Sequence, residues 1–484
     1  MDQMEIHFEF WIVVLAIVFV AVVVRSALRQ RRLWQLSGET SPRLRLWGWG
    51  IPRRHILERL AYHDPLTELP NRHGLNQYFK EDFFGAAAGA VFFVDLDRFK
   101  SINDTLGHDI GDMLLQEVAS RLKEVVGAKG KVFRLGGDEF LIALPKCPLA
   151  EAEAVAQHIL QELKKYYSIQ GNELYITASV GISLTPAHGL DRSALMKAAD
   201  TALYTAKDSG KNKFSVFDQE MNRQQLRRMS LEKDLRKALA CSEFTVVYQP
   251  KWDSFLNVAV GLEALLRWKH PEHGLVSPTE FIPIAEETGL IVPITYWMLK
   301  DVCSQNRLWH TEGVAAVPVS INMSARMFEN GGLYDAVEEA LTFSELEAHF
   351  LELEITESIA MNNMEETVAQ LSRLRLLGVR VSLDDFGTGF SSLGNLDEIP
   401  VNTLKIDQVF IRKSRMHSKK AIISNIIAIA GNLNLEVVAE GVETPEQIEL
   451  LQSLGCRVMQ GYYYGRPMPA GELGEWFIAN AAVS

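Results

Sequence analysis

Lys131-Val-Phe-Arg134-Leu-Gly136-Gly137-Asp138-Glu139-Phe140-Leu-Ile-Ala-Leu144 is two apolar runs joined at a pair of glycines. The runs have the length and composition of strands, and glycine supplies the backbone freedom of a tight connection. The stretch therefore reads as a β-hairpin with two acids at its tip. Upstream, Ala90-Val-Phe-Phe-Val-Asp95-Leu-Asp97 reads as a buried strand that ends in carboxylates. Asp138 and Glu139 beside Asp95 could hold a divalent metal over a triphosphate. Gly136 and Gly137 let the backbone approach a phosphate or ribose closely, and Lys100, Lys207 and Lys211 are candidate phosphate contacts. A Gly-Gly-Asp-Glu turn on its own is a common hairpin, so the reading depends on what surrounds it.

In the second half, from Phe244 onward, short apolar strands alternate with helical stretches. The strands are expected to end near Tyr248, Glu263, Asn322, Glu354, Asp384, Lys405, Glu440 and Gln460. Eight strands with intervening helices fit a (β/α)8, TIM-like barrel, whose active site gathers where the strands end. Any one of these polar residues could be a helix cap or a turn residue. Seven in succession, on the second to the eighth strand, point instead to one shared mouth. Adjacent Asp384 and Asp385 are too close to ionise comfortably without cations between them. With oxygen donors from Glu263, Asn322 and Glu354 they suit a pair of Mg²⁺ or Mn²⁺ ions, which would activate water for in-line attack on a phosphodiester. Lys405 could orient that water or neutralise the developing charge. Gly387, Thr388 and Gly389 read as a gating loop.

Length and composition frame these sites. The 484 residues suffice for two or three domains, and a net charge of −12 argues against general nucleic-acid binding. An acidic protein that handles phosphates brings them in with metal. Cys147, Cys241, Cys303 and Cys456 are scattered, which reads as reduced cytosolic thiols. Phe10 to Val24 is an uninterrupted apolar run closed by Arg25. At about 1.5 Å per residue it covers roughly 22 Å, to which Phe8 adds, Trp11 can anchor and Arg25 can snorkel. The alternative is a signal-peptide core, but the first nine residues hold no Lys or Arg and no small-residue cleavage site follows. Arg25, Arg29, Arg31 and Arg32 follow instead, which orients the rest of the chain to the cytoplasm. The expected organisation is a transmembrane anchor at 8–25 in a bacterial inner membrane, a linker at 26–52, a first catalytic domain at 53–220, an amphipathic inter-domain helix at 221–240 and a second catalytic domain at 241–484.

The surrounding motifs carry a family resemblance. Asp64-Pro-Leu-Thr67, Val94-Asp95-Leu-Asp97-Arg-Phe99-Lys100, Asn103-Asp104, Gly107-His108-Asp109-Ile-Gly111-Asp112 and Ala199-Asp200-Thr-Ala-Leu-Tyr204 flank the hairpin. Together they resemble the GGDEF family of diguanylate cyclases, an α/β fold related to adenylyl cyclase. The resemblance implies that Asp95 and Asp138 hold Mg²⁺ and that Glu139 helps activate the 3′-hydroxyl. It implies that Asn103 and Asp112 read guanine, and that Lys100, Lys207 and Lys211 contact phosphates. Lys211 stands where the family often has Arg. Gly127 and Gly130 stand where its product-inhibition site has Arg and Asp, so that brake is absent.

Tyr248-Gln249-Pro250, Glu263-Ala-Leu-Leu-Arg267-Trp268, Asn322-Met-Ser324, Glu354-Ile-Thr-Glu357, Asp384-Asp-Phe-Gly, Lys405-Ile-Asp407, Glu440-Gly-Val-Glu443 and Gln460-Gly461 resemble the EAL family of cyclic-di-GMP phosphodiesterases over the whole second half. The resemblance implies metal binding by Glu263, Asn322, Glu354, Asp384 and Asp385, and water activation by Lys405 and Glu440. It implies substrate contact by Arg267 and Gln249, support of the water and metal network by Gln460, and anchoring of the Asp384–Ser392 loop by Glu357. Trp252 is bulkier than usual and is expected at the pocket rim. The expected activity is hydrolysis of cyclic-di-GMP to linear pGpG, with a GGDEF domain that binds GTP. Two alternatives stay open: a bifunctional enzyme whose GGDEF domains pair as a homodimer to make cyclic-di-GMP, and a non-catalytic receptor for it.

Overall fold

The computed structural model describes residues 61–84, 88–329, 331–361, 363–387, 393–412 and 417–481. The expected anchor and linker lie outside these residues, as do Thr388 and Gly389 of the expected gating loop. Among the described residues no helix is long and apolar enough to cross a membrane. The chain divides into two compact units between Met221 and Asn222.

The first unit runs α1 (Arg72–Tyr78), β1 (Gly89–Asp97), α2 (Phe99–Leu106), α3 (His108–Val126), β2 (Lys131–Gly136), β3 (Glu139–Pro145), α4 (Leu149–Leu163), β4 (Tyr167–Ile169), β5 (Asn172–Leu174), β6 (Thr177–Thr185), α5 (Arg192–Asp208) and β7 (Phe214–Val216). Its main sheet has the order β2-β3-β1-β6-β7. The uniformly apolar β1 is central, and side chains alternate faces along a strand. Ala90, Phe92 and Val94 accordingly enter one core, with Leu114, Leu115 and Val118 of α3 and Ile159 of α4. Val91 and Phe93 enter a second core, with Leu75 of α1 and Leu195, Ala199 and Leu203 of α5. The hairpin expected at Gly136-Gly137 is formed by β2 and β3, and Asp95 of β1 lies directly opposite Glu139.

The second unit opens on α6 (Gln219–Ala238), which covers most of the helix expected at 221–240 and lies in this unit from Asn222 onward. Leu231, Leu235 and Ala238 of α6 are buried in the barrel core, whereas Leu226 and Met229 are exposed. The unit continues through β8 (Phe244–Asp253), β9 (Val258–His270), β10 (Gly274–Val276), α7 (Pro278–Thr288), α8 (Ile291–Glu312), β11 (Val319–Asn322), α9 (Leu333–Ser344), β12 (Leu351–Thr356), α10 (Glu357–Met361), α11 (Met364–Leu377) and β13 (Arg380–Phe386). It ends with β14 (Thr403–Ile406), α12 (Gln408–Arg412), α13 (His417–Asn432), β15 (Glu436–Ala439), α14 (Pro445–Ser453), β16 (Val458–Gln460), β17 (Met468–Pro469) and α15 (Ala470–Ala481).

Strands β9-β11-β12-β13-β14-β15-β16-β8 close into an eight-stranded barrel through the β8–β9 pairing. It departs from the expected (β/α)8 pattern at its start, because β8 runs antiparallel to both β9 and β16. The cause is local. Asp253 Oδ1 accepts the Phe255 and Leu256 amides at 2.9 Å, and Asn257 takes a left-handed φ of 55°, so a tight turn replaces the first helix. The expected strand ends near Tyr248 and Glu263 are corrected accordingly: both residues lie inside longer strands. Trp252 is not at the pocket rim. It is buried and stacks on Tyr464 at 5.7 Å, near the end of β8 that lies away from the mouth.

Candidate active site at the barrel mouth

The parallel strands bring their terminal polar residues together as expected. Lys405, fully buried on β14, points its Nζ at Glu354 Oε2 (2.5 Å), Glu440 Oε1 (2.6 Å) and Asp384 Oδ1 (3.2 Å). Glu263 accepts from Asn322 Nδ2 at 2.7 Å and from Gln460 Nε2 at 2.5 Å. Gln460 also donates to Gln249 Oε1 at 3.1 Å, and Gln249 donates to the Gly465 carbonyl at 3.1 Å. Gln249 is therefore tied into the Glu263–Gln460 network as well as being a candidate substrate contact.

Asp384 and Asp385 are neighbours in a strand and would ordinarily face opposite sides of the sheet. The β13–β14 register slips between Leu383 and Phe386, and Asp385 has a φ of +56°, rare for a residue with a Cβ. This bulge keeps Asp385 beside Asp384, Asp407 and Lys405. Burial first, then the charge of Asp384 and a hydrogen bond with Asp407, push the Asp385 carboxyl up to about 6. Burial pushes Glu440 up to about 8 against the pull of Lys405. Glu263 is also raised by burial. Burial would raise Glu354 too, but Lys251 and Lys405 outweigh it and hold that carboxyl far below its usual range. Lys405 is disfavoured by burial, yet the surrounding carboxylates keep it firmly charged.

The donor set fits an oxygen-preferring divalent ion such as Mg²⁺ or Mn²⁺. Carboxylates outnumber ammonium groups at the mouth, and burial together with neighbouring carboxylates raises Glu263, Asp385 and Glu440, a charge excess that a divalent ion would offset. The buried Gln460 Oε1 has no hydrogen-bond partner among the described residues. No group of three carboxylates there converges as a formed metal cage, and Lys405 occupies the meeting point of Glu354, Asp384 and Glu440.

Arg267 is half-buried and donates to the Leu266 carbonyl at 2.8 Å. With Asn322, Ser324 and Glu286 it lines a cavity of about 190 Å³. Glu357 is buried at the start of α10. The loop it is expected to anchor lies outside the described residues from Thr388 to Ser392. Three further residues reach the site without having been singled out for it. Asp407 touches Asp385, Lys251 touches Glu354, and Tyr462, which packs under Arg466, lies near Arg267. The Lys-Ile-Asp spacing at the end of β14 was a signal for the first, since residues two apart along an extended chain share a face. Nothing in the local pattern marked Lys251.

In the first unit, Gly137 at the hairpin tip has a φ of +53°. Its carbonyl accepts from Arg134 Nε at 3.1 Å and Nη2 at 2.7 Å, while Arg134 Nη1 reaches Asp64 Oδ1 at 2.8 Å. Thr67 donates to the same Asp64 oxygen through its amide and hydroxyl. This brace, which fixes the Gly136-Gly137 tip, was not read from the sequence. Asp95 lies close to Asp138 and Glu139, and burial raises both Asp95 and Glu139. Lys207, expected on phosphate, pairs with Asp95 at 2.7 Å. Asp97 is buried and held by Thr177, Ser179 and the Asn212 amide, a structural role. Asn103 Oδ1 is buried and lacks a partner among the described residues, as suits a group reserved for a ligand. Gly111 makes room for it, since a Cβ there would lie 1.8 Å from that oxygen. Lys100, Asp112 and Lys211 are exposed.

The diguanylate cyclase GGDEF domain family matches residues 61–213, and the EAL domain family matches residues 232–467. The chain belongs to the tandem GGDEF–EAL family. It is 42% identical over 469 residues to the bifunctional diguanylate cyclase/cyclic di-GMP phosphodiesterase MucR of Pseudomonas aeruginosa, covering 96% of this chain and 68% of that one. It is 38% identical to the cyclic di-GMP phosphodiesterase PdeR of Escherichia coli, covering 87% of this chain and 64% of that one. Some other curated relatives are longer still, and the GGDEF–EAL chain spans 54% of one from Bacillus subtilis, the signaling protein YkoW. Among solved structures, the S helix-GGDEF-EAL portion of Vibrio cholerae LapD shares the fold, with a TM-score of 0.56 at 22% identity over 84% of this chain and 97% of that one.

Proposed function

We propose that this GGDEF–EAL chain hydrolyses cyclic-di-GMP to linear pGpG at the barrel mouth, using Mg²⁺ or Mn²⁺. The observation that carries the reading is the convergence of Glu263, Asn322, Glu354, Asp384, Asp385, Lys405, Glu440 and Gln460, with every expected catalytic position filled. Glu263, Asn322, Glu354, Asp384 and Asp385 would hold the metal. When bound, the metal would lower the pKa of water and neutralise phosphate charge. Lys405 Nζ keeps the neighbouring carboxylates oriented and offsets the negative charge that develops on the phosphodiester. Glu440, with its raised carboxyl, is placed to take up or deliver a proton near pH 7. Gln460 and Gln249 fix Glu263, and Arg267 offers a partly desolvated guanidinium to a phosphate.

The test gives the purified chain cyclic-di-GMP with Mn²⁺ and follows pGpG by chromatography. Failure to form pGpG removes this reading, and Glu263→Ala is expected to abolish both hydrolysis and Mn²⁺ binding.

A second reading adds cyclase activity. It is supported by the Asp95–Asp138–Glu139 cluster and by the unpartnered Asn103 Oδ1, which suits a guanine donor. GTP binding, pairing of two chains for cyclisation and anchoring through residues 8–25 belong to this proposal. GTP supplied to Glu263→Ala, which cannot consume product, should yield cyclic-di-GMP that disappears in the Glu263→Ala/Asp138→Ala double variant. No product from the single variant removes the reading.

A further inference from the structure

We propose that Lys251 is a positioning residue that holds the metal-ligating carboxylate of Glu354 from the end of the barrel opposite the mouth. The inference rests on the metal-dependent reading of the mouth. Lys251 is buried on β8, and its Nζ lies 2.9 Å from Glu354 Oε1 and 2.7 Å from Glu352 Oε2. Glu354 Oε2 bonds Lys405, so lysines from opposite directions clamp the two oxygens of one carboxylate. Glu263, by contrast, accepts from the side-chain amides of Asn322 and Gln460.

The clamp follows from β8 running backwards. Lys251 lies opposite Gly261 on β9, and a Cβ at Gly261 would come within 3.3 Å of Lys251 Cδ. The missing side chain leaves space for the lysine stem. Glu352 and Glu354, two apart on β12, point the same way into the barrel, where like charges repel. Lys251 lies between them and neutralises that repulsion. Glu352 also borders a cavity of about 560 Å³ with Asp253, Arg380 and Arg457. A solvated direction was therefore open to Lys251, yet its ammonium also reaches Glu354. With Oε1 held by Lys251, Glu354 would keep a fixed orientation in which its other oxygen faces Lys405 and the mouth.

Outer partners of metal ligands typically change metal affinity by about 10–100-fold when removed. Mn²⁺ binding is measured by electron paramagnetic resonance on the full-length chain, with melting followed in parallel. Lys251→Met alone leaves Glu352 buried without its cation, so Lys251→Met/Glu352→Gln removes both charges together. The double variant is expected to melt near the wild type and to bind Mn²⁺ at least about tenfold more weakly. Glu352→Gln alone keeps Lys251 on Glu354 and should bind Mn²⁺ within about threefold of the wild type, since it leaves that outer partner in place. A folded double variant with wild-type Mn²⁺ affinity overturns the proposal. If the double variant does not fold, Lys251→Arg decides. It keeps the charge but misplaces the donor, so weakened Mn²⁺ binding supports the clamp and wild-type binding overturns it. Absence of Mn²⁺ binding in the wild type, or unchanged binding in Glu263→Ala, overturns the metal-dependent reading itself.

Discussion

Replacing Lys405 by Met isolates the electrostatic role of an ammonium that contacts Glu354, Asp384 and Glu440 together. The methionine nearly matches the stem in volume, so packing is kept and charge is removed. Taking one partner from a buried ionic cluster costs about 3–5 kcal/mol. For a domain the size of the barrel each kcal/mol shifts the melting temperature by roughly 2–4 °C, so the drop is expected to be roughly 6–20 °C in EDTA. A divalent ion supplies the missing positive charge, and ligand at about 100 times its dissociation constant returns about 2.7 kcal/mol. Mn²⁺ should therefore restore much of the stability. Hydrolysis should not return, because loss of a charge-stabilising donor costs about 10²–10³-fold in rate.

The deficit also has a sign in pH. Raised carboxyls, as at Asp385 (about 6) and Glu440 (about 8), bind more protons in the folded than in the unfolded state. Stability from that source grows as pH falls and fades as pH rises through those values. Without the ammonium the carboxyls rise further, so the gap between variant and wild type should widen from pH 6 toward pH 9. Differential scanning calorimetry of the full chain, reading the transition that Mn²⁺ shifts in the wild type, and chromatography of pGpG provide the two measurements. A Lys405→Met protein that melts with the wild type in EDTA, or hydrolyses within about threefold of it when a loss of 10² or more is expected, refutes the argument.

Arg134→Met should destabilise the first unit by about 2–4 kcal/mol by freeing the Gly137 carbonyl and Asp64 together, and should remove any cyclase activity; an unchanged melt argues against the brace. Asp64 supplies a pH signature. Burial would raise its carboxyl, but Thr67 and Arg134 outweigh it and hold it below its usual value. Its contribution is present above the unfolded pKa of about 3.9 and is lost as pH falls through the lower folded value, so the stability gap between the wild type and Arg134→Met should narrow through that window to the residue left by the Gly137 carbonyl. Gly461→Ala should abolish hydrolysis, because the new Cβ would lie 2.0 Å from the Val442 carbonyl and displace Gln460; retained activity with normal Mn²⁺ affinity would contradict the role given to Gln460.

Most site residues were legible because their positions obey short-range rules. Asn322, Glu354, Lys405, Glu440 and Gln460 each stand at or within about two residues of the end of an apolar run, and a parallel barrel turns such ends into one mouth. The Gly136-Gly137 turn was legible for a similar reason, since only glycine takes its backbone angles cheaply. What stayed hidden depends on partners distant along the chain or on a local break in periodicity. Arg134 and Asp64 are 70 positions apart, and Lys251 and Glu354 are 103 apart.

The sequence by itself determined the class of the two domains, the acid-rich hairpin and most of the mouth residues, because strand periodicity and terminal polar groups are local properties. The tertiary structure decided the rest. It reversed β8 through the Asp253 turn, which carried Lys251 beneath Glu354. It bent β13 so that Asp385 stays with Asp384, and it set how burial and Lys405 divide the charge among the carboxyls. Those outcomes depend on distances across the barrel, which no pattern along one strand encodes.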